Sequence, residues 1–158
     1  MSEASVRAFF AAHAPDVAII DQGVSTATVA EAAVALGVEP ARIAKTLSLR
    51  VGEQVVLVCA RGDARLSNGK AKAALGAKPR MLGGDEVEAI TGHPVGGVCP
   101  FGLAAPLPVY CDVSLKVFET VFPAAGSRTT SVELTPERLG VLTGATWVDI
   151  CTLPDAPE

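Results

Sequence analysis

A glycine-rich stretch, GHPVGGVCPFGL at residues 92–103, contains the residue types in this chain that are most readily associated with chemistry. His93 and Cys99 lie six positions apart within it. A cysteine becomes a nucleophile when a neighbouring base removes its proton, so this pair is one candidate for a thiol-hydrolase dyad. No known family signature surrounds Cys99, and the other histidine, His13, belongs to the N-terminal segment. We therefore favour a packed loop position for Cys99 and a hydrogen-bonding loop position for His93.

The glycines and prolines of the same stretch raise a second chemical interpretation, a backbone cradle for a ligand. The stretch matches neither GxxxxGK[ST] nor GxGxxG, the standard phosphate-binding patterns. Glycine nevertheless lets backbone amides approach a ligand closely, and proline stiffens a loop. Such a loop is suited to holding an ester or an amino-acid group. An ordinary irregular connection has the same composition, and composition leaves both interpretations open.

Lys45 is the third candidate, because it stands in IAKTLSLR at the start of a strand that we expect to be buried. Lysine is costly to bury without a partner. Its ammonium group either reaches solvent from the end of the strand or points into a cleft, towards a phosphate or carbonyl. Histidines and cysteines form no ligand-spaced cluster, so no metal site is expected. Asp85 and Glu86 stand at a predicted helix start, where capping explains them.

The charge of the chain is distributed unevenly. The net charge is −4, from 13 basic and 17 acidic residues. Residues 42–80 contain nine of the basic residues and two acids, a local balance of 9 − 2 = +7, which leaves 4 − 15 = −11 elsewhere. A basic segment within an acidic chain favours a surface that meets a polyanion. A solvated, lysine-rich surface is the alternative.

Composition predicts one globular domain over residues 1–158, with a core built mainly from aliphatic side chains. Hydrophobic residues make up 49% of the chain and aromatic residues only 4%. No apolar run approaches the ~20 residues that span a bilayer, so no membrane association is expected. The first residues lack the basic region of a signal peptide. The four cysteines lack CxxC spacing and are expected to be reduced thiols in a cytoplasmic protein.

Periodicity and turn signals predict alternating helices and strands. We expect a helix capped by Ser5, helices within 25–37, 67–78, 83–92 and 135–144, and a hairpin of strands 44–50 and 55–60. The helix within 83–92 is expected to be capped near Asp85. Further strands are predicted within 106–113, at both ends of 117–134, and at 146–150. The fold class is therefore α+β (mixed α/β), with a central, partly antiparallel sheet flanked by helices.

Three segments together resemble the YbaK-like, or prolyl-tRNA synthetase-associated, editing domains. They are ARIAKTLSLR, then GHPVGGVCPFGL followed by PLPVYCD, and AAGSRTTSVELTPERLGVLTGATWVDI. The likeness runs over residues 25–150 in the same order and spacing. It implies a free-standing, trans-editing aminoacyl-tRNA deacylase, which hydrolyses the ester of mischarged tRNA, most often tRNA(Pro). It implies no cofactor and no metal.

The resemblance also implies roles for particular residues. Lys45 is expected to help hold the 3′-terminal adenosine and its phosphate, and the Gly-x-x-x-Pro loop is expected to position the aminoacyl ester through its backbone. The implied catalytic residues are Lys45, Gly97 and Pro100, and the implied substrate-binding residues are Gly96, Val98, Cys99, Phe101, Gly102, Ala124 and Ser131.

Three of these positions depart from the cysteine-specific members of the family. Those members carry serine where this chain has Cys99, serine where it has Ala124, and aspartate where it has Ser131. The altered polarity favours alanine, 2-aminobutyrate, serine or threonine as the mischarged amino acid, with cysteine as a further candidate. An editing pocket separates such groups by only ~1–3 kcal/mol each, so the sequence does not choose among them.

An aminoacyl ester is labile, so positioning and polarisation can accelerate its hydrolysis without a strong nucleophile. We expect a water nucleophile, assisted by the terminal ribose hydroxyl or by the amino group of the substrate. The alternatives are a noncatalytic aminoacyl-tRNA or synthetase-binding module of the same fold, and a thiol hydrolase dependent on Cys99. Lys70, Lys72 and Lys78 are candidates for contacts with acceptor-stem phosphates. We expect a monomer, with transient contacts to a synthetase or an elongation factor.

Overall fold

Five α-helices form within residues 2–154, which are the residues described by this computed structural model. Met1 and residues 155–158, which the predicted domain 1–158 includes, lie outside the described residues. The helices are α1 (Ser2–His13), α2 (Val29–Leu36), α3 (Asn68–Leu75), α4 (Gly84–Thr91) and α5 (Pro136–Thr143). Side-chain hydroxyls of Thr28, Ser67 and Thr135 cap α2, α3 and α5, each by accepting a hydrogen bond from an amide three residues later. These three helices begin where their hydroxyl caps predict.

Within the described residues, ten strands form one main sheet and two small ones. They are β1 (Ile20–Asp21), β2 (Ile43–Val51), β3 (Gln54–Arg61), β4 (Arg65–Leu66), β5 (Arg80–Met81), β6 (Val109–Asp112), β7 (Phe122–Pro123), β8 (Thr130–Ser131), β9 (Thr146–Val148) and β10 (Cys151–Thr152). The main sheet has the order β5-β2-β3-β6-β9, and β7 also pairs with β2. The β2–β3 and β2–β5 pairs are antiparallel, whereas β3–β6, β6–β9 and β2–β7 are parallel. The predicted mixed, partly antiparallel sheet and the α+β class are confirmed.

Strand β2 is paired almost completely on one edge and only near its ends on the other. Residues 44–51, all but the first of the strand, pair with β3. On the opposite edge, residues 43 and 44 pair with β7, and residues 49 and 50 pair with β5. The pairing registers therefore leave residues 45–48 without a neighbouring strand on that edge.

Both faces of the main sheet are covered. Val6 and Phe10 of α1 and Leu139 of α5 belong to the core cluster on one face, and all three are at most 2% exposed. Ala71 of α3 and Ile150 belong to the cluster on the other face. A third, smaller cluster joins α2 to the beginning of β2 and to β7. Burial on both faces explains why the central strands read as nearly continuous apolar runs.

Three local predictions are corrected by the structure. Helix α1 begins at Ser2 rather than after Ser5, and the Ser5 hydroxyl donates instead to the carbonyls of Ser2 and Gly102. Helix α4 has Gly83 as its N-cap, without a side-chain cap, rather than Asp85. The expected strand near residue 117 is a 3₁₀ helix, Val113–Val117, whose start is capped by the side chain of Asp112. This side chain completes the backbone hydrogen bonding where β6 ends, which ends the strand.

Replacing Asp112 should destabilise the fold strongly. Its carboxylate, in a residue that is 1% exposed, accepts hydrogen bonds from the amides of Ser114 at 3.0 Å and Ile150 at 2.8 Å. Asp112→Ala leaves both amides unpaired, so we expect the free energy of unfolding in urea to fall by about 3 kcal/mol. Asp112→Asn keeps one acceptor oxygen and should lose less. A loss below about 0.5 kcal/mol for the alanine variant would contradict this account.

Candidate functional site

A cavity of about 310 Å³ lies beside the unpaired edge of β2. Its walls come from the start of α2, from residues 43–46 and 48 of β2, and from the β5–α4 connection. Residues 95, 96 and 98 and the segment around β7 and β8 complete them. The walls are mainly apolar, and Lys45 is the one charged residue among the described residues that line it. This volume is at the lower end of the range for small-molecule sites. The cavity is therefore a candidate site for a small group with few polar contacts.

Lys45 is half-buried at this cavity, and backbone carbonyls hold its ammonium group. Its Nζ donates to the carbonyl of Gly62 at 3.2 Å and to the carbonyl of Ala64. Burial lowers the pKa of Lys45 below its ordinary value, while the electrostatic effects of Cys151 and Asp63 oppose that shift. An ammonium group has three N–H donors. Two of them are bound to carbonyls, and the third has no partner among the described residues.

Residues 95–98 are held against the cavity by two neighbouring segments. Gly96 has φ +91°, and a Cβ there would lie 2.8 Å from the Cβ of Ala27. A Cβ on Gly97 would lie 2.8–2.9 Å from backbone atoms of Ser127. Arg128 Nε donates to the carbonyl of Val95 at 2.8 Å. The loop therefore fits only because two consecutive glycines allow close backbone approach on both sides. Gly96 and Val98 line the cavity, whereas Gly97 packs behind it.

Cys99 lies in the core and not at the cavity, which corrects its expected role in substrate contact. Both Cys99 and His93 are 0% exposed, with Cys99 Sγ 3.6 Å from His93 Nε2. The same Nε2 lies 2.7 Å from the carbonyl of Phe101. A carbonyl only accepts, so Nε2 carries the proton, and Nδ1 lies 2.6 Å from the Ser2 hydroxyl, which also donates to the carbonyl of Gly126. His93 therefore satisfies a buried hydrogen-bond network.

The ionisation of these two residues also argues against a Cys99–His93 dyad. Burial raises the pKa of Cys99 to about 12, so the thiol stays protonated at neutral pH. Burial also lowers the pKa of His93, while its hydrogen bond to the carbonyl of Phe101 opposes that shift. Because Nε2 already carries a proton, it cannot remove one from Cys99. The thiol-hydrolase alternative therefore lacks an accessible, activated nucleophile at this pair.

The end of the loop anchors helix α1 instead of contacting the cavity. Phe101 is 0% exposed, and its ring centroid lies 4.8 Å from that of Phe10. Gly102 has φ +58°, and a Cβ there would lie 2.7 Å from backbone atoms of Ser5. Pro100 is also buried and is not among the lining residues. The predicted substrate contacts of Phe101 and Gly102 are thus replaced by packing contacts, because the loop turns inward after residue 98.

Ala124 and Ser131 both line the cavity and form an isolated antiparallel bridge with each other. The structure therefore brings together five of the residues expected at the site: Lys45, Gly96, Val98, Ala124 and Ser131. Sequence reasoning missed Ser48, which also lines the cavity and is 4% exposed. A polar residue in a strand otherwise expected to be buried was the available signal for it.

The basic residues of segment 42–80 are partly neutralised. Four ion pairs involve this segment: Arg42–Glu133, Arg50–Glu86, Arg61–Asp63 and Lys70–Asp149. The Nζ of Lys70 also donates to the carbonyl of Cys151, beside a second cavity. Lys72 and Lys78 are exposed and make no ion pair with the described part of the chain. Of the three lysines expected to contact phosphates, these two have ammonium groups that no described carboxylate neutralises.

Neither a metal site nor a membrane span is found in the described residues. Between residues 2 and 154, no group of three or more histidine, cysteine, aspartate or glutamate side chains could hold a metal ion. Over the same residues, every helix is too short or too polar to cross a bilayer.

Comparison with known proteins gives the family. The model of the aminoacyl-tRNA editing domain family matches residues 24–140. The chain therefore belongs to the aminoacyl-tRNA editing domain family, and the resemblance to YbaK-like, prolyl-tRNA synthetase-associated domains is confirmed.

Individual relatives agree with this assignment. The chain is 48% identical to YwhH of Bacillus subtilis, an uncharacterized protein, over 96% of this chain and 98% of that one. It is 34% identical to EbsC of Enterococcus faecalis, which is named as a proposed Cys-tRNA(Pro)/Cys-tRNA(Cys) deacylase, over 74% and 73% of the two chains. A crystal structure of a proposed trans-editing enzyme for prolyl-tRNA synthetase superposes with a TM-score of 0.88 at 32% identity, covering 96% of this chain and 97% of that one.

Adding one methyl group at Gly97 should disturb the loop. Because its Cβ would meet the backbone of Ser127 at 2.8–2.9 Å, Gly97→Ala forces one of the two segments to move. We expect the free energy of unfolding to fall by roughly 1–3 kcal/mol in denaturant titrations. Gly69→Ala is the matched control, since a Cβ there meets nothing within 4 Å inside α3 and should be neutral or slightly stabilising. Equal stability of the two variants would refute the close packing at Gly97.

The burial of Cys99 predicts its resistance to alkylation. Iodoacetamide reacts with thiolates, and a pKa of about 12 together with 0% exposure leaves Cys99 unreactive in the folded protein at pH 8. Mass spectrometry of peptides should find Cys99 unmodified until the protein is unfolded in urea, which provides the positive control. Rapid labelling of Cys99 in the native protein would revive the thiol-hydrolase interpretation.

Proposed function

We propose that this protein is a trans-editing deacylase that hydrolyses the ester bond of mischarged tRNA, with the aminoacyl group in the cavity beside β2. One observation carries the proposal: Lys45 and three residues of the glycine-rich loop some fifty positions later, Val95, Gly96 and Val98, line the same small cavity. Membership of the editing-domain family supports the reaction class. We further propose that the protein acts in the cytoplasm, where tRNA is charged and used.

The nucleophile in this proposal is water. None of the described residues that line the cavity is an aspartate, glutamate, histidine or cysteine. The water oxygen attacks the ester carbonyl carbon, the bond to the ribose oxygen breaks, and that oxygen leaves with a proton, giving a free amino acid and uncharged tRNA. A neighbouring ribose hydroxyl or the substrate's amino group assists the proton transfers. Because the ester is labile, positioning and polarisation by fixed dipoles suffice as the protein's contribution.

Lys45 and the glycine-rich loop position different parts of the substrate. The third N–H of the Lys45 ammonium group is directed to the 3′-terminal adenosine, at its phosphate or at the ester carbonyl. Gly96 places its backbone in the cavity wall, where groups without side chains can approach the ester closely. Two carbonyls fix the Lys45 Nζ in advance, so little side-chain freedom is lost when the substrate binds.

Relatives and surface charge support tRNA(Pro) as the carrier. The proposed activities of EbsC and of the superposed crystal structure both concern proline-specific tRNA or its synthetase. Lys78 and Arg80 are exposed just before Met81, which lines the cavity, so acceptor-stem phosphates can meet them while the 3′ end enters. Lys72 adds charge at the end of α3, whereas Lys70 would first have to leave Asp149. A synthetase or an elongation factor would deliver the charged tRNA.

A second candidate function is a noncatalytic aminoacyl-tRNA or synthetase-binding module. The same absence of an acidic, histidine or cysteine side chain from the described cavity lining favours it. The two functions differ in one observable, which is ester loss at a fixed concentration of bound charged tRNA.

The decisive experiment measures ester loss from tRNA(Pro) and tRNA(Ala) charged with alanine, cysteine, serine, threonine, 2-aminobutyrate or proline. We expect rapid hydrolysis of at least one noncognate ester and none of prolyl-tRNA(Pro). Lys45→Ala should lower kcat/KM by roughly 10- to 100-fold, because the fixed cation is lost. Binding of charged tRNA without any acceleration of ester loss would favour the binding module.

The lysine variant needs controls, since the carbonyls of Gly62 and Ala64 lose their donor when Lys45 is truncated. Lys45→Arg keeps a cation and should retain part of the activity. Lys116→Ala removes another lysine, which lies over the Trp147 ring and away from the cavity lining, and should leave the rate unchanged. If Lys45→Ala unfolds at the same denaturant concentration as the parent and hydrolyses esters equally fast, the proposed role of Lys45 is wrong.

A further inference from the structure

Five hydroxyl side chains line the cavity, and two of them have no hydrogen-bond partner among residues 2–154. The five are those of Thr26, Thr28, Thr46, Ser48 and Ser131. The Thr26 hydroxyl donates to the carbonyl of Arg128, and the Thr28 hydroxyl donates to the carboxylate of Glu31. The Thr46 hydroxyl lies 3.7 Å from Cys59 Sγ. The hydroxyls of Ser48 and Ser131 are left without a partner in the described chain.

These two serines are nevertheless almost entirely buried. Ser48 is 4% exposed and Ser131 is 3% exposed. Every fully buried side-chain nitrogen or oxygen in the described residues has a hydrogen-bond partner. The two unpartnered hydroxyls must therefore reach open space, and the open space that both residues border is the cavity. A hydroxyl held in a mainly apolar wall is costly unless a ligand or water pairs with it.

Strand alternation explains why both hydroxyls face inward. Leu47 and Leu49 pack into the cluster on one face of the main sheet, so Ser48 between them points to the other face. Thr130 donates to the carbonyl of Ala125 and Val132 joins the core, so Ser131 between them points away from that core. The two hydroxyls thus enter the cavity from different walls, one from β2 and one from β8.

We propose that Ser48 and Ser131 bind the side-chain hydroxyl of the aminoacyl group, so that seryl and threonyl esters are the preferred substrates. This inference rests on the proposed function. A substrate hydroxyl both donates and accepts, as the two serine hydroxyls do, whereas a thiol does both weakly and a methyl group does neither. Esters of alanine and 2-aminobutyrate would leave two buried hydroxyls unpaired, and such a loss is what allows a site to reject an analogue without the hydroxyl.

The charge of the cavity supports this assignment over an ammonium ligand. No carboxylate lines the described part of the cavity, and its one charged residue, Lys45, is a cation. The α-ammonium group of the substrate therefore gains little by turning towards the two serines. The terminal ribose is the competing occupant, and it would make the effect of the serines independent of the amino acid.

The test uses two matched pairs of esters on tRNA(Pro), serine with alanine and threonine with 2-aminobutyrate. The members of each pair have the same carbon skeleton and differ by one hydroxyl. We expect kcat/KM to be at least about tenfold higher for the hydroxylated member, and Ser48→Ala or Ser131→Ala to reduce that ratio by roughly 2- to 12-fold each. The double variant should bring the ratio close to one. Ser114→Ala, outside this cavity, should leave the ratio unchanged.

Equal hydrolysis of seryl and alanyl esters by the parent protein would overturn the inference while leaving the deacylase proposal intact. An equal fall in kcat/KM for every ester in the serine variants would also overturn it, because the hydroxyls would then bind the terminal ribose. If no ester is hydrolysed, the deacylase proposal fails, and amide-linked seryl- and alanyl-adenosine then test the site by affinity alone. Tighter binding of the seryl compound, abolished in the double variant, would uphold the inference, and equal affinities would overturn it.

Discussion

The incomplete pairing of strand β2 is the constraint on which the candidate site depends. The Ser48 carbonyl accepts a hydrogen bond from the Leu82 amide at 3.0 Å, so it faces away from β3. Because backbone groups alternate along a strand, the N–H and C=O of Thr46 face the same edge. Neither β5 nor β7 pairs with residue 46. The cavity therefore has an unpaired strand edge along one side, which helices and loops enclose instead of another strand.

The glycine-rich loop closes this cavity because its two halves have different neighbours. Residues 95–98 pack between the segment before α2 and the turn at 127–128, whereas Phe101 and Gly102 pack on α1. His93 links the second half to the start of α1 through its contacts with Phe101 and Ser2. Cysteine and histidine contribute to this loop through packing and buried hydrogen bonds.

Sequence reasoning recovered the local elements better than the inward or outward direction of individual loop residues. The helices within 25–37 and 135–144 could be predicted because a cap is a contact between near neighbours in sequence, and Thr28 and Thr135 are their observed caps. The meeting of Lys45 with the glycine-rich loop came from a family resemblance, since spacing alone places no two distant segments together. Residue chemistry favoured a packed position for Cys99, which its burial confirms, whereas the family resemblance implied a substrate contact for it. A loop has no periodicity from which its buried side can be read. Ser48 was missed because its role depends on the absence of a strand beside β2.

A cavity with one cation and no acid or base among its described lining residues is suited to a substrate that needs little chemical activation. An aminoacyl ester is such a substrate, since its hydrolysis requires orientation of water and stabilisation of one developing negative charge. In the proposed function Lys45 stabilises that charge; two carbonyls hold its ammonium group, and burial lowers its pKa. With no reactive side chain to distinguish substrates, discrimination must come from the few polar groups that the cavity leaves unpaired.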